Sequence, residues 1–213
     1  MNNMTKNNSK LDLTEEQKNM IAYHYRGIFE CLSSLYDLDV NDPNLIDTPE
    51  RIAKLMVDER CQGINSKEKC KKLLSVTFPT EYEGIIIAAN PTKVYSLCPH
   101  HFENVTYKVW VGYIPQDKVI GLSKFSRVIK LFGSQPIMQE DFTYQLHELF
   151  EEALNPKGLI VIVKGQHYCM LARGVKTEEQ WTVTSQASGL FKDDLTVKEE
   201  FLVLCQSSLN QVY

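Results

Sequence analysis

The chain has 213 residues, enough for one domain with its own hydrophobic core. Its 43% hydrophobic and 23% charged residues are ordinary for a globular protein, and its net charge of -4 gives no general attraction to nucleic acid. No apolar run approaches the ~20 residues of a membrane span, and residues 1–10 lack the apolar core of a secretory signal. We therefore expect a cytoplasmic protein whose six cysteines are thiols or metal ligands rather than disulfides.

The sequence pattern of the N-terminal third predicts helices. Residues 1–13 are polar, and we interpret them as a mobile arm. Residues 14–78 follow as a helical region, because three helix-start signals fall within it. These are the capping-box pattern of Thr14 and Gln17 before a long amphipathic helix, the Thr48-Pro49 pair, and Ser66 before a short helix ending near Leu74.

After Pro79 the pattern changes from helical to strand-like, and we assign residues 79–213 to one catalytic region. Every second residue is apolar or aromatic over 105–113, which predicts a half-buried strand. Shorter strands are predicted over 84–90, 93–97, 119–122, 158–165 (continuing to His167 and Cys169) and 180–186. Ser123 is expected to cap one helix and Gln139-Glu140 to precede another, whereas residues 197–209 fit a helix or a strand. The prediction is an α+β fold without internal repeats.

Two short motifs concentrate metal-binding side chains: Cys98-Pro99-His100-His101 and His167-Tyr168-Cys169. Thiolate sulfur and imidazole nitrogen are ligands that zinc prefers. In a strand, residues two apart share a face, which would group Cys98 with His100 and His167 with Cys169. In a turn, Cys98 and His101 would converge instead. Spacing therefore gives five candidate ligands without ranking them.

Three interpretations of these motifs are open: a catalytic metal, a structural metal and no metal. A structural zinc site takes four protein ligands, whereas a catalytic site takes three and leaves one position for water. Five candidate ligands are more than either kind of site requires, so one or two of these side chains remain for proton transfer. We therefore favour the catalytic arrangement. The remaining cysteines (Cys31, Cys61, Cys70 and Cys205) are expected to be incidental thiols.

Cations lie close to the motifs in the sequence. Lys124 and Arg127 share one helical face near a predicted helix start, and Arg173 lies four residues after Cys169. Each alone is ordinary surface charge, but together with the metal motif they indicate a polyphosphate or carboxylate ligand. No Walker-type loop is present, which disfavours a phosphoryl-transfer NTPase.

Several motifs carry a resemblance to a known family. They are Cys98-Pro99-His100-His101, Tyr113-Ile114-Pro115, Val119-Ile120-Gly121-Leu122-Ser123-Lys124 with Arg127, Gln139-Glu140, His167-Tyr168-Cys169 with Ala172-Arg173-Gly174, and Thr184-Ser185 with Gly189-Leu190-Phe191. In order and spacing they resemble the GTP cyclohydrolase I family, over essentially residues 12–205. The resemblance implies a hydrolase acting on cyclic amidines.

The resemblance also implies the fold and the assembly. The family adopts the tunnelling fold, in which an antiparallel sheet carries helices on one face behind an N-terminal helical extension. Sheets of neighbouring subunits join into a barrel. The implied homo-oligomer is a decamer of two pentameric rings with active sites at subunit interfaces, and the implied partner is GTP rather than nucleic acid or membrane.

The roles of individual residues follow from the same resemblance. It implies a zinc ion held by Cys98, His101 and Cys169, and proton transfer by His100 and His167. Glu140 would hold the guanine ring, aided by the backbone near Gln139. The triphosphate would be bound by Arg51, Ser123, Lys124, Arg127 and Arg173. The implied reaction hydrolyses the imidazole ring of GTP at C8, releases formate and gives 7,8-dihydroneopterin triphosphate, which begins pterin and folate biosynthesis.

The sequence departs from the family pattern at four positions. Pro99 stands where a glutamate is usual, and Gln135, Ile137 and Asp141 stand where Arg, Gln and Arg are usual. An alternative is therefore a catalytically weakened homologue that serves as a binding or regulatory subunit. A zinc-stabilised structural module and a cysteine hydrolase using Cys98 and His167 are further alternatives.

Overall fold

The structure is a computed structural model and describes residues 3–82, 84, 86–87, 91–174, 176 and 180–209. The chain divides into two units, residues 1–61 and residues 62–213. None of the helices in the described part of the chain combines the length and the apolarity that a membrane span requires.

The first unit is helical. It contains helix α1 (Asn3–Tyr36), helix α2 (Thr48–Leu55) and a π-helical turn (Met56–Arg60). Arg26 of α1 forms an ion pair with Glu50 of α2. Helix α1 begins at Asn3, so the predicted start at Thr14 is wrong; no proline or glycine between these positions interrupts the helix. Residues 1–2 of the predicted mobile arm lie outside the described residues.

Two of the predicted helix starts differ slightly from the structure. Asp47 rather than Thr48 occupies the N-cap position of α2, and Thr48 is its first helical residue. In the second unit, Ser66 does occupy the N-cap position of helix α3 (Lys67–Leu74), but its hydroxyl makes no capping bond. The hydroxyl lies instead 3.9 Å from the sulfur of Cys70, which is buried.

The second unit is built on antiparallel strands. Strands β1 (Thr77–Pro79) and β5 (Lys118–Ile120) form a two-stranded sheet. The main sheet has five strands, with β2 (Ile86–Ile87), β4 (Asn104–Ile114), β6 (Gly158–His167) and β7 (Thr182–Gly189) in that order and β3 (Thr92–Leu97) also paired to β4. The alternation over 105–113 thus lies in β4, but the prediction of a half-buried strand is wrong, because residues of this strand are buried on both of its faces. Of the predicted strand 84–90, residues 85 and 88–90 lie outside the described residues.

The pairing register positions the two candidate motifs. Leu97 at the end of β3 pairs with Asn104, and Val105 pairs with His167 at the end of β6. The residues that follow β3 and β6 therefore emerge at the same end of the sheet. This brings the Cys98 and Cys169 segments together although they are far apart in sequence.

Helices pack on both faces of the main sheet. Helices α4 (Leu122–Gly133) and α5 (Gln139–Leu154) cover the face carrying Tyr107, Val109 and Val111. After the short helix α6 (Tyr168–Leu171), helices α7 (Leu190–Asp193) and α8 (Leu195–Leu209) place Phe191 and Phe201 against the other face. The prediction of helices on one face is therefore incomplete, because alternate residues of β4 and β6, such as Trp110 and Ile160, are apolar on the second face as well.

The α+β class is confirmed, with antiparallel pairing in both sheets. Two helix starts are corrected: Gly121, not Ser123, is the N-cap of α4, and Gln139 is the first residue of α5 rather than a residue before it. The end of the chain, which the sequence leaves open between helix and strand, is helix α8.

Candidate metal centre and substrate pocket

The first motif is a tight turn. The amide of Cys98 donates to the carbonyl of Glu103 (2.8 Å), and the amide of Phe102 donates to the carbonyl of Cys98 (2.8 Å). Phe102 adopts a left-handed backbone conformation with φ of 58°. Of the two geometries that the sequence leaves open, the structure has the turn. Cys98 is buried at 4% exposure, whereas His100 and His101 are exposed.

The second motif, His167-Tyr168-Cys169, begins in a strand and ends in a helix. Strand β6 ends at His167, and Tyr168 begins the short helix α6. The amide of Ala172 donates to the carbonyl of Tyr168 (2.8 Å), which closes a helical turn. The prediction that His167 and Cys169 lie on one face of a continuing strand is therefore wrong. The turn nevertheless places the Cys169 sulfur 3.7 Å from the Cys98 sulfur.

Cys98, His167 and Cys169 form a group that could hold a metal ion. One ligand atom from each lies within 4.8 Å of the other two. A tetrahedral ion with metal–sulfur bonds of about 2.3 Å brings two thiolates to about 3.8 Å from each other, and the observed sulfur separation is 3.7 Å. Among the residues that the structure describes, His101 is not a member of this group, and His100 Nδ1 lies 3.7 Å from the Cys98 sulfur.

A pocket of about 310 Å³ opens over this group. Helix α5 contributes the buried Gln139 and the exposed Glu140 from its first turn. The pocket lining consists of Cys98, Pro99, His100, His101, Ile137, Met138, Gln139, Glu140, His167, Cys169, Met170 and Thr182. All five candidate metal ligands and both candidate purine contacts therefore face one cavity.

Burial favours the neutral forms of His167 and of the Cys169 thiol. It lowers the pKa of His167; Glu140 opposes the shift and His100 adds to it. Burial also raises the pKa of the Cys169 thiol, and the hydrogen bond with Cys98 raises it further, while Arg173 opposes both. Metal binding requires thiolates, and the charge of a bound cation would offset this preference for the neutral thiol.

None of the residues predicted to bind the triphosphate lines the pocket of the single chain. On α4, Ser123 and Arg127 are exposed and Lys124 is half-buried, and Arg173 is exposed just after α6. Arg51 belongs to the first unit, where its guanidinium donates to the carbonyl of Asn44 (2.8 Å) and to the Thr48 hydroxyl (2.9 Å).

The four departures from the family pattern are distributed unevenly. Pro99 and Ile137 line the pocket. Gln135 donates its side-chain amide to the carbonyl of Phe132 (2.6 Å), and Asp141 is exposed in the first turn of α5, where a carboxylate suits the helix N-terminus.

Sequence reasoning missed one buried group of the pocket, the side chain of Gln139. Its Oε1 lies 2.9 Å from His167 Nε2, and its Nε2 lies 3.0 Å from the carbonyl of Thr182. These partners are 28 and 43 residues away in sequence, so no local pattern could have indicated the contacts.

Known proteins resemble this chain over most of its length. The profile of the family described as GTP cyclohydrolase I matches residues 21–206. GTP cyclohydrolase 1 of Haemophilus influenzae (strain PittEE) is 34% identical over 194 residues, covering 90% of this chain and 85% of that protein. GTP cyclohydrolase 1 of Photobacterium profundum is 35% identical (91% and 86% covered), and that of Actinobacillus pleuropneumoniae serotype 5b is 36% identical (86% and 82% covered).

One solved structure, the archaeosine synthase QueF-Like in the apo form, matches 51% of this chain and 97% of its own with 21% identity. The TM-score of this match is 0.43. The family profile, over residues 21–206, covers the main sheet and every residue of the pocket. The profile and the relatives confirm the resemblance seen in the sequence motifs: the chain belongs to the GTP cyclohydrolase I family of hydrolases.

Proposed function

We propose that the chain is a zinc-dependent GTP cyclohydrolase. It hydrolyses the imidazole ring of guanine in GTP at C8, releases formate and forms 7,8-dihydroneopterin triphosphate, the entry to pterin and folate biosynthesis. The observation that carries the proposal is the pair of cysteine sulfurs, 3.7 Å apart, at a pocket that also holds three histidines and Glu140. Membership of the family supports the choice of substrate.

The proposed zinc ligands are Cys98, His101 and Cys169. Two sulfurs and one imidazole nitrogen suit zinc, and three protein ligands leave a position for water. When bound, zinc supplies Lewis acidity that makes water a stronger nucleophile at neutral pH. One observation favours a second arrangement, in which His167 replaces His101: the close group of ligand atoms contains His167.

The other pocket residues supply binding and proton transfer. Glu140 is exposed at the pocket wall, where its carboxylate can accept two adjacent N–H groups from the guanine edge. His100 and His167 can give a proton to the ring nitrogen that leaves C8, because histidine titrates near neutral pH. Arg51, Ser123, Lys124, Arg127 and Arg173 bind the triphosphate, which the reaction leaves unchanged.

We also propose the family assembly, a decamer of two pentameric rings whose sheets join into a barrel. Strand β7 is the last strand of the main sheet in the described part of the chain, and its outer edge is available for pairing with a neighbouring subunit. Its Val183 is 60% exposed. Such an apolar edge residue supports an interface at this strand.

The test is to incubate the purified protein with GTP and to follow the absorbance of the pterin product and the released formate, with and without a chelator. We expect both products, and we expect their loss on chelation and recovery on adding zinc. A protein that binds GTP but releases no formate would instead be the weakened homologue that the departures at Pro99, Gln135, Ile137 and Asp141 suggest. Activity that survives complete zinc removal would favour the cysteine hydrolase.

A further inference from the structure

The side chain of Gln139 lies at the boundary between the pocket and the core. It is only 2% exposed, although it opens helix α5 and contributes to the pocket wall. Its amide oxygen lies 2.9 Å from His167 Nε2. Buried polar groups are hydrogen-bonded, so the donors and acceptors around the Gln139 amide determine which ring nitrogen of His167 carries the hydrogen.

The neighbours of Gln139 fix which way its amide points. Its Nε2 lies 3.2 Å from the carbonyl oxygen of Val163, 3.0 Å from that of Thr182 and 3.1 Å from the hydroxyl of Thr184. Carbonyl oxygens can only accept hydrogen bonds, so the atom facing them must be the amide nitrogen, which donates. The oxygen of the amide therefore faces His167.

The orientation of the amide determines the proton position on His167. Gln139 Oε1 can only accept, so the short contact requires His167 Nε2 to carry the hydrogen. In a neutral imidazole the other nitrogen, Nδ1, then holds the lone pair. The opposite tautomer would place two lone pairs against each other in a buried site, which is costly, and a flipped ring would turn a C–H group instead of an N–H group towards the amide oxygen.

We propose that Gln139 is a positioning residue that locks His167 in the Nε2–H tautomer and so leaves the lone pair of its imidazole on Nδ1. The tautomer follows from the hydrogen bonds alone, whereas its catalytic consequence rests on the proposed function. The side chain of Gln139 is accordingly committed to His167 and the strands, and only its backbone remains for the guanine ring.

The surrounding strands are shaped to hold this amide. The Thr143 hydroxyl donates to the backbone carbonyl of Gln139 (2.8 Å) and lies 2.6 Å from the Thr184 hydroxyl, which links α5 to β7. A Cβ added at Gly165 would overlap Gln139 Oε1 and approach the Tyr107 ring to 2.9 Å. Glycine at position 165 thus permits the amide to reach His167, whose ring is also held edge-on by Tyr107 (centroids 6.1 Å apart).

The test reads the tautomer directly, by magic-angle-spinning NMR of the zinc-loaded enzyme with ¹⁵N-labelled histidine. His167→Asn identifies the His167 signals among the five histidines. We expect a protonated Nε2 and an unprotonated Nδ1 in the unmodified protein. Gln139→Met, which removes the acceptor, and Gly165→Ala, which displaces it, should shift the two signals towards a mixture of tautomers.

A kinetic measurement accompanies the spectrum. Gln139→Met should lower kcat by roughly 10 to 100-fold, the usual scale for loss of a residue that orients a functional histidine, with a smaller change in KM for GTP and unchanged zinc content. Gln145→Met, on the same helix but outside the pocket lining, is the matched control and should leave spectrum and kcat unchanged.

The two proposals fail in different ways. An unprotonated Nε2 in the unmodified protein, or signals unaffected by Gln139→Met, would overturn the positioning role even if the enzyme converts GTP. Absence of any turnover of GTP would overturn the proposed function and leave the tautomer readable in the same spectrum. If Gln139→Met does not fold, the spectrum of the unmodified protein still decides the tautomer, and Gly165→Ala tests its dependence on Gln139.

Discussion

The candidate metal ligands and the candidate triphosphate-binding cations differ in how the chain holds them. Cys98 and His167 stand at strand ends, and hydrogen bonds to Glu103 and Gln139 fix their segments. Lys124 and Arg127 instead lie on helix α4 and Arg173 lies just after helix α6, and among the described residues none of the three forms an ion pair. The chain therefore builds its reactive groups into the fold and leaves its cations available to a ligand.

This difference has an energetic reason. A proton-transfer group or metal ligand must be held within a fraction of an ångström, because a small displacement costs much of the rate. A triphosphate is bound mainly by Coulomb attraction, which weakens gradually with distance. Flexible side chains therefore suffice to bind it, although ordering them costs conformational entropy. Substitutions in the two sets should therefore produce different kinetic signatures.

The largest effect is expected at the two cysteines. Cys98→Ser or Cys169→Ser should remove bound zinc and abolish turnover, because a three-ligand site does not retain the ion with one ligand removed. Zinc content is measured by elemental analysis beside the GTP assay. Cys31→Ser, at an exposed position in the first unit, is the control and should retain both. Full zinc in either pocket variant would contradict the ligand assignment.

The third ligand is tested by two histidine variants. We expect His101→Ala to lose zinc together with activity, and His167→Ala to keep zinc while losing turnover. Zinc stoichiometry measured on the two proteins decides the matter. The reverse pattern, with zinc absent from His167→Ala and present in His101→Ala, would establish the group of Cys98, His167 and Cys169 seen in the single chain as the metal site.

His100 should show the signature of a proton-transfer group. His100→Ala should lower turnover by roughly 10² to 10⁴, the usual scale for loss of a general acid or base, and leave zinc content and GTP binding nearly unchanged. Equilibrium binding of GTP and zinc analysis complete the measurement. Loss of zinc in this variant would mean that the imidazole near the Cys98 sulfur is a ligand instead.

Local patterns predicted most of the fold that supports these groups. The alternation over 105–113 marks strand β4, and the apolar positions of residues 122–133 and 139–154 mark the two helices on its face, because periodicity is a property of neighbouring residues. The motif spacing likewise indicated a turn as one way to arrange Cys98 and His101. These inferences required no knowledge of distant contacts.

The parts that sequence reasoning missed depend on distant residues. The helical turn at Cys169 interrupts what reads as a continuing strand, and the side chain of Gln139 is held by β6 and β7. Similarly, α8 covers the second face of the sheet because Phe201 fits there over Gly112, where an added Cβ would come 2.5 Å from the Phe201 ring. Pairings of this kind are set by the assembled sheet and have no local signal.

The smallest effect is expected at the cations. Lys124→Ala should raise KM for GTP by about tenfold, since a hydrogen bond to a charged group contributes about 1.5 kcal/mol or more. Its kcat and zinc content should change little, because the triphosphate takes no part in the chemical step. The rise should shrink at higher ionic strength, where salt screens exposed charges.

Lys130→Ala is the matched control for Lys124→Ala. Lys130 is an exposed lysine in the last turn of the same helix, so its removal changes the net charge equally without touching the proposed triphosphate site. It should leave KM within twofold of the unmodified value, roughly the scale of an exposed charge. An equal rise in KM for both variants would show that general charge rather than a placed cation attracts GTP. Loss of zinc in Lys124→Ala would show that the cations and the metal group are not separable, and would contradict the distinction between the two sets.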